Sequence, residues 1–495
     1  MGVVILPLVP WYSWRAAAIW FMARRTFLRW LAFVLAALAA GVAALLWATR
    51  DAPLLSSFFR IDGLGLFFVF LAIIGALRDV LVHSRRWRTT ALFLAVSALT
   101  LTARATPLIA LGYIALAVGS LPYGSRLRFP PALSAKTLGS TLGAFVAAAP
   151  LPLAAACVAT GYGILALRGV STYDDRLAGA ALDSFVFWFV LLGATFALVA
   201  FKVQSSKFKV HSHFETQNLV LLWFYPLVRL YSLGPWNSGW GLATLLFGAA
   251  TALWLAVGAL RSSAGTYGVG LAALALACFG LGTSAGIAGG CYALLVCAAL
   301  GTHHSQGRGF AEPGWPIGQL VAPGVAIWLI IGAAVAGGSI ALAGVAWVVA
   351  LIGGLALVFT PQATQRSSIA YAGVSLALGI GAPALIGLLI TPAVAQLQGG
   401  LSAYGDLLIW PWVGLAVVNS AQVQVAVLPS VAVAVLMFVL VALLFLLKQL
   451  LAAPSSADDA KPGPPITYEG LLDALRQEVP WLGGHHDQGR PIDPE

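Results

Sequence analysis

Runs of about 20 apolar residues recur almost without interruption from residue 3 to residue 450, and each can cross a hydrocarbon core about 30 Å thick as a helix. The chain is 60% hydrophobic and 9% charged, against about 25% charged in soluble domains, so a soluble fold is excluded. A β-barrel would instead alternate apolar and polar residues over stretches of about 10. Roughly 15 windows can be counted, opening with 3–22, 28–48 and 62–82, passing through 216–233 and 238–260, and closing with 367–396 and 427–450. Residues 407–424 are apolar but interrupted by Pro411, and read either as a further span or as an interfacial helix. The fold class that follows is an all-α polytopic membrane protein with about 14–16 transmembrane helices.

The net charge of +10 does not point to nucleic acid, because the basic residues gather in alternate loops. Arg24 and Arg25, then Arg85, Arg86 and Arg88, Arg126 and Arg128, and Lys207 and Lys209 follow odd-numbered spans, as do Arg261, Arg308 and Arg366. The intervening loops, such as Arg50/Asp51 and Asp174/Asp175/Arg176, are nearly neutral. The positive-inside rule then predicts a multi-pass cell (inner) membrane protein, N-terminus outside and C-terminus cytoplasmic. The first span is followed by Arg24-Arg25 rather than by a small-residue cleavage site, so no cleavable signal is expected. Cys157, Cys278, Cys291 and Cys297 fall in predicted spans without a CxxC pair and read as small apolar residues packed between helices.

Two regions are expected: a membrane body over 1–451 and a polar cytoplasmic tail over 452–495. Within the tail, Leu471, Leu472, Leu475 and Val479 recur at helical spacing across Ile466–Leu482. That is a short amphipathic helix, either docking a soluble subunit or fraying without a partner.

Several motifs carry a resemblance. Phe58-Phe59-Arg60-Ile61-Asp62-Gly63-Leu64-Gly65-Leu66-Phe67-Phe68, at the start of the third span, is similar to the Asp-Gly-Leu-Ser-x-x-Phe of the antiporter-like subunits of respiratory complex I, Mrp antiporters and membrane-bound hydrogenases. Ala135-Lys136 and Thr160-Gly161-Tyr162-Gly163 resemble the two ends of that family's sixth helix. Phe201-Lys202-Val203 resembles its Phe-Lys-Val, and Leu227-Val228-Arg229-Leu230 the end of its eighth helix. Pro313-Gly314-Trp315-Pro316 sits where the family begins a broken twelfth helix. The C-terminal addition, with Trp410-Pro411-Trp412, resembles the hydrogenase-4 and formate hydrogenlyase large membrane subunit.

The resemblance implies a core of about 14 helices containing two inverted five-helix repeats, here residues 89–233 and 238–360, each with a helix interrupted in mid-membrane. Ala322-Pro323-Gly324 reads either as such a break or as an ordinary proline kink. It also implies a proton path. In the family a fifth-helix glutamate modulates the seventh-helix lysine, and basic groups on the eighth and twelfth helices extend the line. Here Ile114, Leu221 and Gly324 stand at those three places, and Lys209 stands where a histidine normally follows the lysine. Lys202 remains, with Lys136 beside it in sequence pattern.

Lys202 is either a buried lysine that holds or passes a proton or a span-end lysine snorkelling to the interface. Lys207, Lys209, His211, His213 and Glu215 form one dense ionisable cluster, read either as a solvated loop or as a proton-entry patch or docking surface. Arg229 stays charged and can pair but not relay; Asp183 and Glu215 are its candidate partners. Asp62 is expected to cap the third helix, and Arg78-Asp79 to form an interfacial pair. Phosphate loops, dinucleotide fingerprints and zinc spacings are absent from the sequence. No cofactor, metal or catalytic site is therefore expected, though a non-catalytic place in an oxidoreductase complex remains open.

Two functions stay in contention. One is an antiporter-like membrane subunit of a complex I-related or membrane-bound hydrogenase-like assembly, its proton pathway reduced or lost, serving mainly as a scaffold beside other membrane subunits. The other is a stand-alone proton- or cation-coupled transporter, or the membrane half of an inorganic-carbon uptake system.

Overall fold

The computed structural model describes residues 30–49, 53–56, 58–82, 87–120, 150–172, 184–205, 221–262, 267–300, 321–359, 368–401, 405–410, 414–419 and 424–451. Helix α1 (Trp30–Ala48) leads to a hairpin of β1 (Leu54–Leu55) and β2 (Arg60–Ile61). Then come α2 (Gly63–Val82), α3 (Trp87–Leu101), α4 (Thr106–Ser120), α5 (Pro150–Leu167) and α6 (Ser184–Ser205). Next are α7 (Phe224–Arg229), which tightens into a 3-10 turn at Leu230–Ser232, α8 (Ser238–Ser262), α9 (Tyr267–Phe279) and α10 (Ser284–Leu300). They are followed by α11 (Val321–Ala336), α12 (Ile340–Phe359) and α13 (Ser368–Ile380). The order closes with α14 (Ala382–Ala395), strands β3 (Gly405–Trp410), β4 (Gly414–Asn419) and β5 (Gln424–Leu428), and α15 (Ser430–Leu451).

These helices are apolar on every face, so none is sided like a surface helix of a soluble protein. What separates them is where they sit. Helix α2 is central: Leu64, Phe67, Phe68 and Leu71 are buried, and it packs on α3, α10 and α14. Helix α1 is peripheral, with Trp30, Phe33, Leu38 and Trp47 exposed, as lipid permits. Among the described residues three helices are each long and apolar enough to cross a membrane, and α13 with α14 makes a broken fourth. Helices α4, α5 and α6 pack in series, and α8 to α12 form a second packed group. Within it α8 and α9 approach through backbone contact, since a Cβ on Gly241 would come within 2.6 Å of the Gly280 carbonyl. Small residues allow such approach where apolar burial supplies no drive between helices.

Many predicted spans coincide with helices: 62–82 with Gly63–Val82, 238–260 with Ser238–Ser262, and 427–450 with Ser430–Leu451. Two places differ. The described residues of 407–424 form neither span nor interfacial helix; they belong to an antiparallel meander, order β3-β4-β5, with Leu407 opposite Val417 and Val417 opposite Ala426. Short apolar runs fit strand and helix alike by periodicity, and here the β-branched residues and Pro411 divide the stretch into strand lengths. The rest of the described chain is helical, as the all-α membrane class expects, apart from the β1–β2 hairpin. Second, 367–396 is not one straight helix: its two described halves are bent by 68° around Gly381. Pro323 of Ala322-Pro323-Gly324 lies where the described part of α11 begins, and residues 301–320 lie outside the described residues. The 216–233 span is described from residue 221, as helical turns at 221–222, Phe224–Arg229 and a 3-10 turn at Leu230–Ser232. Residues 452–495, including the tail helix expected at Ile466–Leu482, lie outside the described residues.

Candidate functional site

The described bundle holds its buried charge at one place, the start of α2. Asp62 caps the helix as expected: its Oδ1 accepts the Gly65 amide at 2.9 Å. Its Oδ2 accepts Arg60 Nε at 2.9 Å and also meets Arg229 Nη1 of α7. Asp62 and Arg229 are 0% and 1% exposed, whereas the Arg60 side chain keeps 10% exposure. Arg229 also lies 5.9 Å over the Tyr225 ring and stands in the last turn of α7, where the helix dipole favours a cation. Asp62 was expected to cap and Arg229 to pair with Asp183 or Glu215. The structure brings Asp62 and Arg229 together, while Asp183 and Glu215 lie outside the described residues.

Around this pair the polar work falls to tyrosines. Tyr113 donates to the Leu222 carbonyl at 2.7 Å, and Tyr162 to the Pro226 carbonyl at 3.0 Å. Tyr225 donates to the Leu101 carbonyl at 2.9 Å, Tyr231 to Phe279 at 2.7 Å, and Tyr292 to Leu378 at 2.9 Å. Most of these acceptors stand at helix ends or breaks. Leu222 stands four residues before Pro226, which has no N–H to give back. Leu101 ends α3, where the last carbonyls of a helix lack a helical donor; Phe279 ends α9 and also accepts the Gly282 amide at 3.2 Å; Leu378 lies three residues before the Gly381 corner. At membrane depth such a group needs a partner from the protein itself. The tyrosines supply it without introducing charge. The sequence reading missed them, although the proline at 226 signals an unserved carbonyl four residues earlier.

The remaining site candidates divide as follows. Lys202 lies near the C-terminal end of α6, and its side chain is not among those described. Lys136, Lys207, Lys209, His211, His213 and Glu215 lie outside the described residues. Ile114, at the position aligned with the family's glutamate, is 41% exposed, and the buried residue of that turn is Tyr113. Leu221 is buried, and Gly324 faces Met437 of α15. Arg78 donates to the Ala298 carbonyl at 3.3 Å; the Asp79 side chain is not described. Cys278 and Cys291 are buried, while Cys157 and Cys297 are half-buried. Among the described residues no three His, Cys, Asp or Glu side chains group as a metal site.

Chemically, this arrangement ties helix ends together. Arginine does not deprotonate in proteins, and each of these phenols is committed to a carbonyl.

Long apolar helices around an apolar core define a polytopic membrane protein. A chain of the Mrp complex from Dietzia sp. DQ12-45-1b is similar over 92% of this chain and 56% of that one, at 16% identity and a TM-score of 0.55. A chain of respiratory complex I from Thermus thermophilus with bound NADH is similar over 69% of this chain and 86% of that one (19% identity, TM-score 0.45). One from the same complex with bound Aureothin is similar over 77% and 99% (21% identity, TM-score 0.43). This chain thus spans 56% of the Mrp chain's length. No family model and no curated protein matches the sequence. The likeness to the Mrp chain is one of fold: this chain shares its helical architecture with a chain of that complex.

Proposed function

We propose that the chain is an antiporter-like membrane subunit of a complex I-related or membrane-bound hydrogenase-like assembly, with its own proton pathway reduced and its main role that of a scaffold. The observation that carries this reading is the state of the buried charge. Among the described residues the fully buried charged side chains are Asp62 and Arg229, and they face each other. A relay needs groups that gain and lose protons near neutral pH. The described residues at and beside the aligned relay positions, Tyr113, Ile114, Leu221 and Gly324, offer none. The fold shared with an Mrp-complex chain supports the subunit reading, and other membrane subunits are its natural neighbours. The two inverted repeats over 89–233 and 238–360, the outside N-terminus, the cytoplasmic C-terminus and docking of a soluble subunit by the tail belong to the same proposal.

Two measurements test it. An affinity-tagged chain, solubilised gently from its native membrane, is expected to bring other membrane subunits with it; recovery of the chain alone counts against the scaffold role. In proteoliposomes of the purified chain, proton flux is expected to stay at the level of empty vesicles, for wild type and Lys202→Ala alike. Flux that Lys202→Ala abolishes while the protein remains folded would establish the chain as a transporter in its own right.

A further inference from the structure

We propose that the segment from Gly381 to Gly400 is a strap over the buried Asp62–Arg229 pair, and that lifting it is the motion that opens this end of the bundle to water. The inference goes beyond the subunit role and rests only on the chain being embedded in a membrane.

The strap touches the pair's two flanks at positions that admit no side chain. A Cβ on Gly63, the residue after Asp62, would overlap the Pro392 carbonyl. A Cβ on Gly400 would overlap the carbonyl of Tyr231, two residues beyond Arg229, and lie 3.0 Å from the Gly234 carbonyl. Both surfaces it rests on are fixed from behind. Gly65 donates to Asp62, and a Cβ there would sit 2.7 Å from the Leu101 carbonyl that Tyr225 holds. Tyr231 stacks on Trp236 at 3.9 Å and donates to Phe279. The strap itself carries no buried charge: Ile386, Ile390, Ala393 and Leu397 seat it by apolar contact.

The strap also has a hinge. The chain bends by 68° between α13 and α14, with Gly381 at the corner. Beyond it the helix widens into a π turn at Ile386–Ile390, where the Ile386 carbonyl accepts both the Thr391 amide and, at 3.0 Å, the Thr391 hydroxyl. Pro392 explains the widening, since its ring crowds the helix one turn back and offers no N–H. On the fixed side Tyr292 holds the Leu378 carbonyl. A rigid anchor, a bent joint and an apolar seat thus follow one another along a single stretch of chain.

The test uses the full chain in lipid nanodiscs with Ser232→Cys as reporter, because Ser232 donates to the Arg229 carbonyl at 2.8 Å and is half-buried. Labelling by a membrane-impermeant maleimide is followed by mass spectrometry at each thiol. Gly63→Ala and Gly400→Ala are expected to raise the labelling rate at position 232 by about tenfold or more, with Cys278 and Cys291 still protected. Gly373→Ala, whose Cβ would meet nothing within 4 Å, is expected to change nothing. Unchanged labelling in both strap variants, or an equal rise with Gly373→Ala, overturns the proposal. Should the strap variants unfold, exposing Cys278 and Cys291, hydrogen exchange on the unsubstituted chain decides: amides of 393–400 and 224–232 are expected to open together. Exchange of the strap while 224–232 stays protected refutes it.

Discussion

Asp62 performs two tasks that substitution can separate. Its Oδ1 caps α2 and its Oδ2 faces two guanidinium groups. Asparagine caps a helix about as well as aspartate, so Asp62→Asn leaves the first task intact and removes the charge facing Arg229. A buried charge deprived of its counter-ion costs about 3–5 kcal/mol, and that loss is the expected outcome in chemical or thermal unfolding of the purified chain. Adding Arg229→Met should restore most of it, because an apolar replacement of both partners is often nearly neutral. A double variant no more stable than Asp62→Asn alone would show that the pair's charges are not what the site depends on. The cap was legible in the sequence, since Asp-Gly stands immediately before an apolar run with Gly65 at the third helical position. The partner was not. Nothing in the local pattern joins Arg229 to Asp62, and only the packing of α7 against α2 does so.

At the scale of elements, the helix breaks explain why tyrosine appears where it does. The Leu222 carbonyl loses its helical donor to Pro226 and receives the Tyr113 hydroxyl instead. Tyr113→Phe leaves a buried acceptor unserved, at an expected cost of about 1–3 kcal/mol. Pro226→Ala returns an N–H four residues after Leu222, so in that background Tyr113→Phe should cost clearly less. A double-mutant cycle on unfolding free energies measures the difference, and strict additivity would refute the link. Apolar run length located most helices, but it did not place the breaks. The glycine at 381 looks like many others in the sequence, yet it lies where the chain turns. The 407–424 stretch misled for a related reason: once Pro411 divides it, each part is as short as a strand, and periodicity no longer distinguishes the two.

For the molecule as a whole, the polytopic helical frame was legible from apolar run length and motif order, while the surroundings of most candidate lysines and histidines were not, because those residues lie outside the described ones. What the described interior does carry has a consequence for energetics. The membrane potential acts on net charge, at about 2.3 kcal/mol per elementary charge for each 100 mV. Asp62 and Arg229 sum to zero, and the tyrosines that hold the breaks are neutral. An applied voltage therefore finds almost nothing to push on here. In proteoliposomes carrying a potassium diffusion potential of about 100 mV, hydrogen exchange across residues 60–66 and 224–232 should match that of unpolarised vesicles. Among the described residues, then, this buried pair is electrically quiet, and an energised membrane finds no net charge on it to move.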